Sequence, residues 1–328
     1  MDFRLDDEQL ALQEGVATFC ASRLPLAGIG EREGSDALAA QWHDLAGLGV
    51  FSLLVPEADG GLGLGVVEAA LVFEQLGRHL VAGPLAWSTL APALLATAGA
   101  DGVPVVGGVE VSGVVDDPIV VEHAADLGLL VVLRADGVAV VEAGELADPK
   151  PLDALDPLTP VASYQDLPDG RPVGGVDAAA GFRARATVLT AAYLLGVSDA
   201  ALTVARDYSL EREQFGQPIG TFQALKHMMA DMFVRTNLAR SATYAAAAVL
   251  DDPAAGHVDR SVSGAKLLAG EAAIDNARAS VQVLGGMGFT REMLPNYLLK
   301  RAWVLETAFG SATSHASAIS ASVASELR

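Results

Sequence analysis

Cysteine is nearly absent: Cys20 is the only one in 328 residues. A lone thiol excludes an intrachain disulfide framework and a cysteine-rich zinc site. His227 and His315 have no neighbour at ligand spacing, so no metal site is expected and both are read as packing or surface residues. Positive charge is scarce as well, with 21 Lys and Arg against 41 Asp and Glu and a net charge of −20. That balance argues against nucleic acid and against an anionic membrane surface as partners. It still admits a small anion, which needs only a few well-placed basic groups. Hydrophobic residues make up 51% of the chain, yet no unbroken apolar run of 18 occurs, because Gly, Pro, Asp or Arg interrupts each one. The opening "MDFRLDDEQL" is acidic and amphipathic, unlike a secretory signal or transit peptide, so a cytoplasmic protein is expected. No G-x-S-x-G, Walker A loop or strand-linked G-x-G-x-x-G is present.

What is there falls into three blocks: residues 1–100, 101–175 and 176–328. The first is helical in period. Leu12, Val16, Phe19 and Cys20 repeat at i, i+4, i+7 and i+8, with Asp6 as a candidate N-cap. Gly60, Gly61, Gly63 and Gly65 break the chain, and a helix follows whose Val67, Leu71, Phe73, Glu74 and Leu76 cover more than one face. The second block changes to short valine-rich runs. "GLLVVLRADGVAVVEA" reads as a hairpin turning at Ala135-Asp136-Gly137, and the four prolines of "DPKPLDALDPLTP" predict an irregular connection. In the third block a long helical pattern ends before "QFGQPIG". Thr221 is placed as the cap of the next helix, with Phe222, Leu225, Met229, Met232 and Phe233 as its core stripe. A further helix covers about 258–284 and stops at "GGMG". The expected fold is mainly α, with a small β middle domain and a C-terminal four-helix bundle.

Single motifs are weak. Gly285, Gly286 and Gly288 suit a phosphate cradle through backbone N–H groups, but a Gly pair after a helix is also an ordinary stop signal. Arg212 could hold a pyrophosphate through two parallel hydrogen bonds or be a solvated charge at a helix end.

Taken together the segments do match a pattern. "VPEADGGLGLGVVEAALVFEQLGR", "YSLEREQFGQPIGTFQALKHMMADM" and "VQVLGGMGFTREMLPNYLLKRAWVLETAFGSATS" resemble the acyl-CoA dehydrogenase family, in the right order and over nearly the whole chain. The resemblance implies FAD as cofactor and an acyl-CoA thioester as substrate. In that family a glutamate takes the α-proton and flavin N5 takes the β-hydride. A positioned carboxylate suits so weak an acid. By residue-wise match, Arg212, Phe215 and Gln223 look like the family residues that reach a neighbouring subunit's FAD. Gln282, Gly285 and Gly286 look like the other part of that cross-subunit site.

The chain departs from the pattern on the flavin-accepting side. Residues 101–170 hold neither a "TEPxAGSD"-like loop nor a following Trp-containing strand. The two positions where the family places its base are occupied by Phe309 and Ala186, so no catalytic residue is assigned. Glu306 matches a family glutamate that is not the base and is read as structural. This implies a subunit that needs a longer acyl-CoA dehydrogenase-like partner, as in an α2β2 heteromer acting on a bulky or steroid side-chain acyl-CoA. Two other readings stand beside it. One is a self-sufficient flavoenzyme using Asp199, Glu211 or Glu306 as a relocated base, and the other is a flavin-free scaffold on the same fold.

Overall fold

A computed structural model of the chain describes residues 5–33, 35–95, 104–111 and 118–326. The expected boundary at 100/101 lies outside them. The chain divides into two compact units, residues 1–30, 70–81 and 187–328, and residues 31–69 and 82–186.

The first unit is helical. It holds α1 (Asp7–Arg23), α3 (Val66–Arg78) from residue 70, and α5 (Val176–Glu211) from residue 187. It continues with α6 (Gln223–Asp251), α7 (Val258–Leu284), α8 (Leu294–Thr307) and α9 (Ala312–Glu326). Asp6 caps α1 as expected. Its side chain accepts the Gln9 amide while Gln9 reaches back to the Asp6 amide, a reciprocal capping box. α7 packs against α6, α8 and α9 and presents Ala265, Ala269, Ala272, Ala273 and Ala277 to the core. Such small side chains let helices approach closely.

Closer still is the approach of α3 to α5. A Cβ on Gly77 would lie 2.0 Å from the Tyr193 carbonyl oxygen, and one on Gly196 would lie 2.0 Å from that of Glu74. Among the described residues, α5 is the one helix long and apolar enough to cross a membrane, and 78% of its most apolar window is buried inside the fold. It is built like a core helix.

Two details of α6 differ from expectation. Thr221 does not cap it: Phe222 is the N-cap, no side chain closes that end, and the Thr221 hydroxyl donates to the Pro218 carbonyl. The apolar stripe is not the core face either. Met232 is buried, but Phe233 is 59% exposed, with Val234 and Leu238 beside it in solvent. The buried face runs instead through Thr236, Ala239, Thr243, Ala246 and Ala247. Ser198, Thr236 and Asn276 satisfy one another there, with Asn276 Nδ2 2.8 Å from Ser198 Oγ and 2.9 Å from Thr236 Oγ1.

The second unit carries α2 (Ser35–Gly47), α4 (Leu85–Leu95) and the β region. β1 (Val106–Glu110), β3 (Leu129–Leu133), β4 (Val138–Glu142) and β7 (Arg171–Gly174) form one sheet in the order β1-β3-β4-β7. β2 (Ile119–Glu122), β5 (Lys150–Leu152) and β6 (Val161–Tyr164) form another in the order β2-β6-β5. β1 and β3 are parallel and the remaining pairs of these two sheets are antiparallel. The expected β3–β4 hairpin is present, and Gly137 is required because a Cβ there would meet the Gly174 carbonyl at 2.4 Å. The proline-rich connection is less irregular than expected. It contains β5, an edge strand, the place in a sheet where a proline such as Pro151 is tolerated. Val121 and Tyr164 of one sheet pack with Leu130, Val132 and Val141 of the other.

Candidate flavin-completing site

The six residues expected to touch a flavin lie on the first unit, and all six are exposed. Between α5 and α6 the chain makes a short ladder of β8 (Glu213–Gln214) and β9 (Gln217–Pro218). The two residues at its turn, Phe215 and Gly216, have φ of 53° and 79°. Both central positions at positive φ match the twist of a tight hairpin. Phe215 stands at the tip, 92% exposed, with the Phe222 ring edge-on at 6.1 Å. An exposed aromatic on a strained backbone position contributes nothing to the core of its own chain. Arg212 ends the preceding helix, and its carbonyl accepts the Ile219 amide at 2.8 Å, which closes the loop.

The second group reaches the same end of the molecule by helix register. α6 and α7 are antiparallel neighbours, and Asn276 Nδ2 donates to the Met232 carbonyl at 3.0 Å. Gln223 lies nine residues before Met232, and Gly285 lies nine residues after Asn276. The start of α6 and the end of α7 therefore share one end of the pair. There Gly285, with φ 67°, caps α7, and neither it nor Gly286 has any atom within 4 Å of where a Cβ would be. A guanidinium, an aromatic face, two amide side chains and open glycine backbone make up a donor set that fits an extended dinucleotide.

The two positions expected to carry a base are apolar. Ala186 is fully buried on α5, in the second unit. Phe309 is 8% exposed in the link between α8 and α9, with φ 55°. Glu306 is engaged in holding the backbone, since its Oε1 accepts the Ala312 amide at 2.6 Å and caps α9. Asp199 lies 3.2 Å from Arg78 and 3.4 Å from Arg240, and Glu211 is exposed at the end of α5.

Two clusters escaped the sequence reading. Lys266, 2% exposed, donates to the carbonyls of Glu306 at 2.7 Å and Gly310 at 3.1 Å. Burial lowers its pKa to about 8, partly opposed by Glu306. His315, read as an ordinary packing or surface residue, is a buried member of the same cluster. Its Nε2 faces the Phe309 carbonyl at 3.2 Å and its Nδ1 faces Ser263 Oγ at 3.3 Å. Burial and then Lys266 lower its pKa, against the pull of the Phe309 and Gly310 carbonyls and of Glu306. Its signal was a lone Lys in the small-residue run "SGAKLLAGEAA".

The other cluster is centred on Glu74, 4% exposed, whose carboxylate accepts from Arg240 at 3.0 Å and from the Tyr244 hydroxyl. Burial and then Glu74 raise the Tyr244 pKa. Burial works against the Arg240 charge, but Glu74 and Asp199 outweigh it and raise its pKa. A Glu within an apolar helix pattern was the only hint of this network.

Comparison with known proteins decides the family. Residues 6–103 match the acyl-CoA dehydrogenase N-terminal domain and residues 174–324 match the acyl-CoA dehydrogenase C-terminal domain. The chain belongs to the acyl-CoA dehydrogenase family. It is 32% identical to acyl-CoA dehydrogenase IpdE2 of Mycobacterium tuberculosis, over 90% of this chain and 91% of that protein. Among solved structures it superposes on a chain of the ChsE4-ChsE5 complex of Mycobacterium tuberculosis with a TM-score of 0.81, 24% identity and 99% of both chains covered. It superposes on a chain of the Tcur3481-Tcur3483 steroid ACAD with a TM-score of 0.79 and 22% identity, over 98% of this chain and 99% of that one. These two likenesses support the fold. Members of the family are oxidoreductases and flavoproteins that bind FAD.

Proposed function

We propose that this chain is a subunit of an FAD-dependent acyl-CoA dehydrogenase, completing a flavin site whose main pocket and catalytic carboxylate belong to a longer partner chain. One observation carries the reading. The chain keeps an exposed set of Arg212, Phe215, Gln223, Gln282, Gly285 and Gly286 while both of its base positions are apolar. Exposed groups of this kind are useful only to something outside the chain.

In the reaction, FAD supplies the hydride acceptor. With FAD bound, a carboxylate of the partner chain would take the α-proton of the thioester as the substrate gains an α,β-double bond. This chain's part is to hold the diphosphate with Arg212 and the backbone at Gly285 and Gly286, and to fix the cofactor's orientation. Similar structures named for two unlike chains, one of them called a steroid ACAD, support a heteromer, which we read as α2β2. The one called a steroid ACAD supports our reading of the substrate as a bulky acyl-CoA, such as a steroid side-chain thioester. We read the chain as a helical segment 1–100, a reduced β segment 101–175 and a bundle 176–328, in a cytoplasmic enzyme.

The test is the flavin content of the chain expressed alone and expressed with a longer family member. Little FAD alone and one FAD per pair of unlike chains is expected. One FAD per chain with turnover in a homomeric sample would favour the self-sufficient flavoenzyme, and no flavin with any partner would favour the scaffold.

A further inference from the structure

A cavity of about 1050 Å³ opens in the first unit between α1, α3, α5 and α6. Its floor is the Glu74, Arg240, Tyr244 and Asp199 network, whose members already pair with one another. The floor therefore offers a ligand no unmet charge. The walls are different. Leu10 is 49% exposed and Phe233 is 59% exposed, and Leu202 and Met229 line the space between them.

The charges that line the cavity run against the rest of the chain. Lining cations are Arg78, Arg206, Lys226 and Arg240, against the anions Glu14, Glu74 and Asp199. That is four positive groups to three negative, in a protein with a net charge of −20. Arg78 and Arg240 are held by Asp199 and Glu74. Among the described residues, Arg206 pairs only with its exposed neighbour Asp207. The side chain of Lys226 makes no ion pair or hydrogen bond among the described residues, and it stands exposed at the rim.

We propose that this cavity binds an amphipathic monoanion of the alkyl carboxylate class, with its head at Lys226 and Arg206 and its tail along Leu10, Leu202, Met229 and Phe233. The volume suits a small-molecule site. An apolar wall beside a free ammonium selects for one charge at the end of a hydrocarbon, whereas a neutral alcohol of the same length would leave Lys226 without a counterion. None of the six residues read as touching flavin lines this cavity, so failure of the binding would leave the proposed function untouched.

The experiment is calorimetric titration of the full chain with octanoate, and with octanol as the neutral control. Saturable one-to-one binding of octanoate is expected, with octanol clearly weaker. Lys226→Glu, an exposed change that leaves the fold intact, should weaken octanoate about tenfold, the scale of one charge-assisted contact. Thr203→Trp should fill the cavity and abolish binding. If that variant misfolds, Phe233→Ser removes apolar wall from the surface and should weaken both probes. Absence of saturable binding, equal affinity for octanol, or affinities unmoved by Lys226→Glu and Phe233→Ser would overturn the proposal.

Discussion

The ammonium of Lys266 bonds the carbonyl of Glu306 across 2.7 Å, which ties the middle of α7 to the link that carries Phe309. The same nitrogen reaches Gly310, and His315 faces the Phe309 carbonyl. Three consecutive contacts thus hold a turn whose residue 309 sits at φ 55°. The turn keeps its shape although its side chain cannot act as a base.

The buried amine makes stability depend on pH. Its folded pKa of about 8 lies below the ordinary lysine value of 10.5, so the unfolded chain binds more protons between those values. Stability from this group therefore rises as pH increases through that window, and the penalty is complete below it. Lys266→Met should remove the rise. Urea unfolding at pH 7.5 and pH 10 should show the wild type gaining on the variant by about 2 kcal/mol. A gap between the two proteins that does not change with pH would refute the assignment.

The backbone contact between α3 and α5 admits no methyl group. A Cβ on Gly196 would sit 2.0 Å from the Glu74 carbonyl oxygen, and backbone cannot rotate away as a side chain can. Gly196→Ala is expected to cost roughly 3 kcal/mol, the upper range for overpacking. Thermal unfolding followed by circular dichroism measures it. A melting temperature equal to wild type would mean the helices separate freely.

Arg240 and Glu74 form a part-buried pair, with the carboxylate side chain 5% exposed and the arginine side chain 29% exposed. Removing one partner strands the other, so Arg240→Met should cost about 3–5 kcal/mol. Adding Glu74→Gln should recover much of that loss, because the uncompensated charge is gone. Chemical denaturation of both single variants and the double variant closes the cycle. Purely additive losses would show that the two groups do not interact.

The residues proposed to complete the flavin site and Phe309, at a proposed base position, should separate by readout. Arg212→Ala is expected to lower FAD retention in the complex about tenfold or more, as one charge-assisted phosphate contact is lost. Phe309→Ala should leave the turnover of assembled complex nearly unchanged while lowering stability. Glu306→Gln should weaken the α9 cap by about 1 kcal/mol, again without effect on turnover. A general base typically contributes about 10²–10⁴ in rate. A hundredfold drop in turnover for Glu306→Gln at normal flavin content would make this chain catalytic in its own right.

The sequence by itself determined what is local. Helix periods, the Asp6 cap, the stop at Gly285 and the β3–β4 hairpin each depend on residues within a few positions of one another. The family segments were readable for a related reason, since each is a contiguous run with fixed spacing. Tertiary structure alone decided the rest. Lys266 finds its carbonyls 40 and 44 residues away, and Glu74 meets Arg240 across 166. No periodicity encodes such distances. The face of α6 shows the limit most directly. Its Phe, Leu and Met residues recur at helical spacing, and that spacing is the same whether the stripe faces a core or solvent. Because small Thr and Ala side chains pack more closely against α7, they take the buried face and leave Phe233 outside.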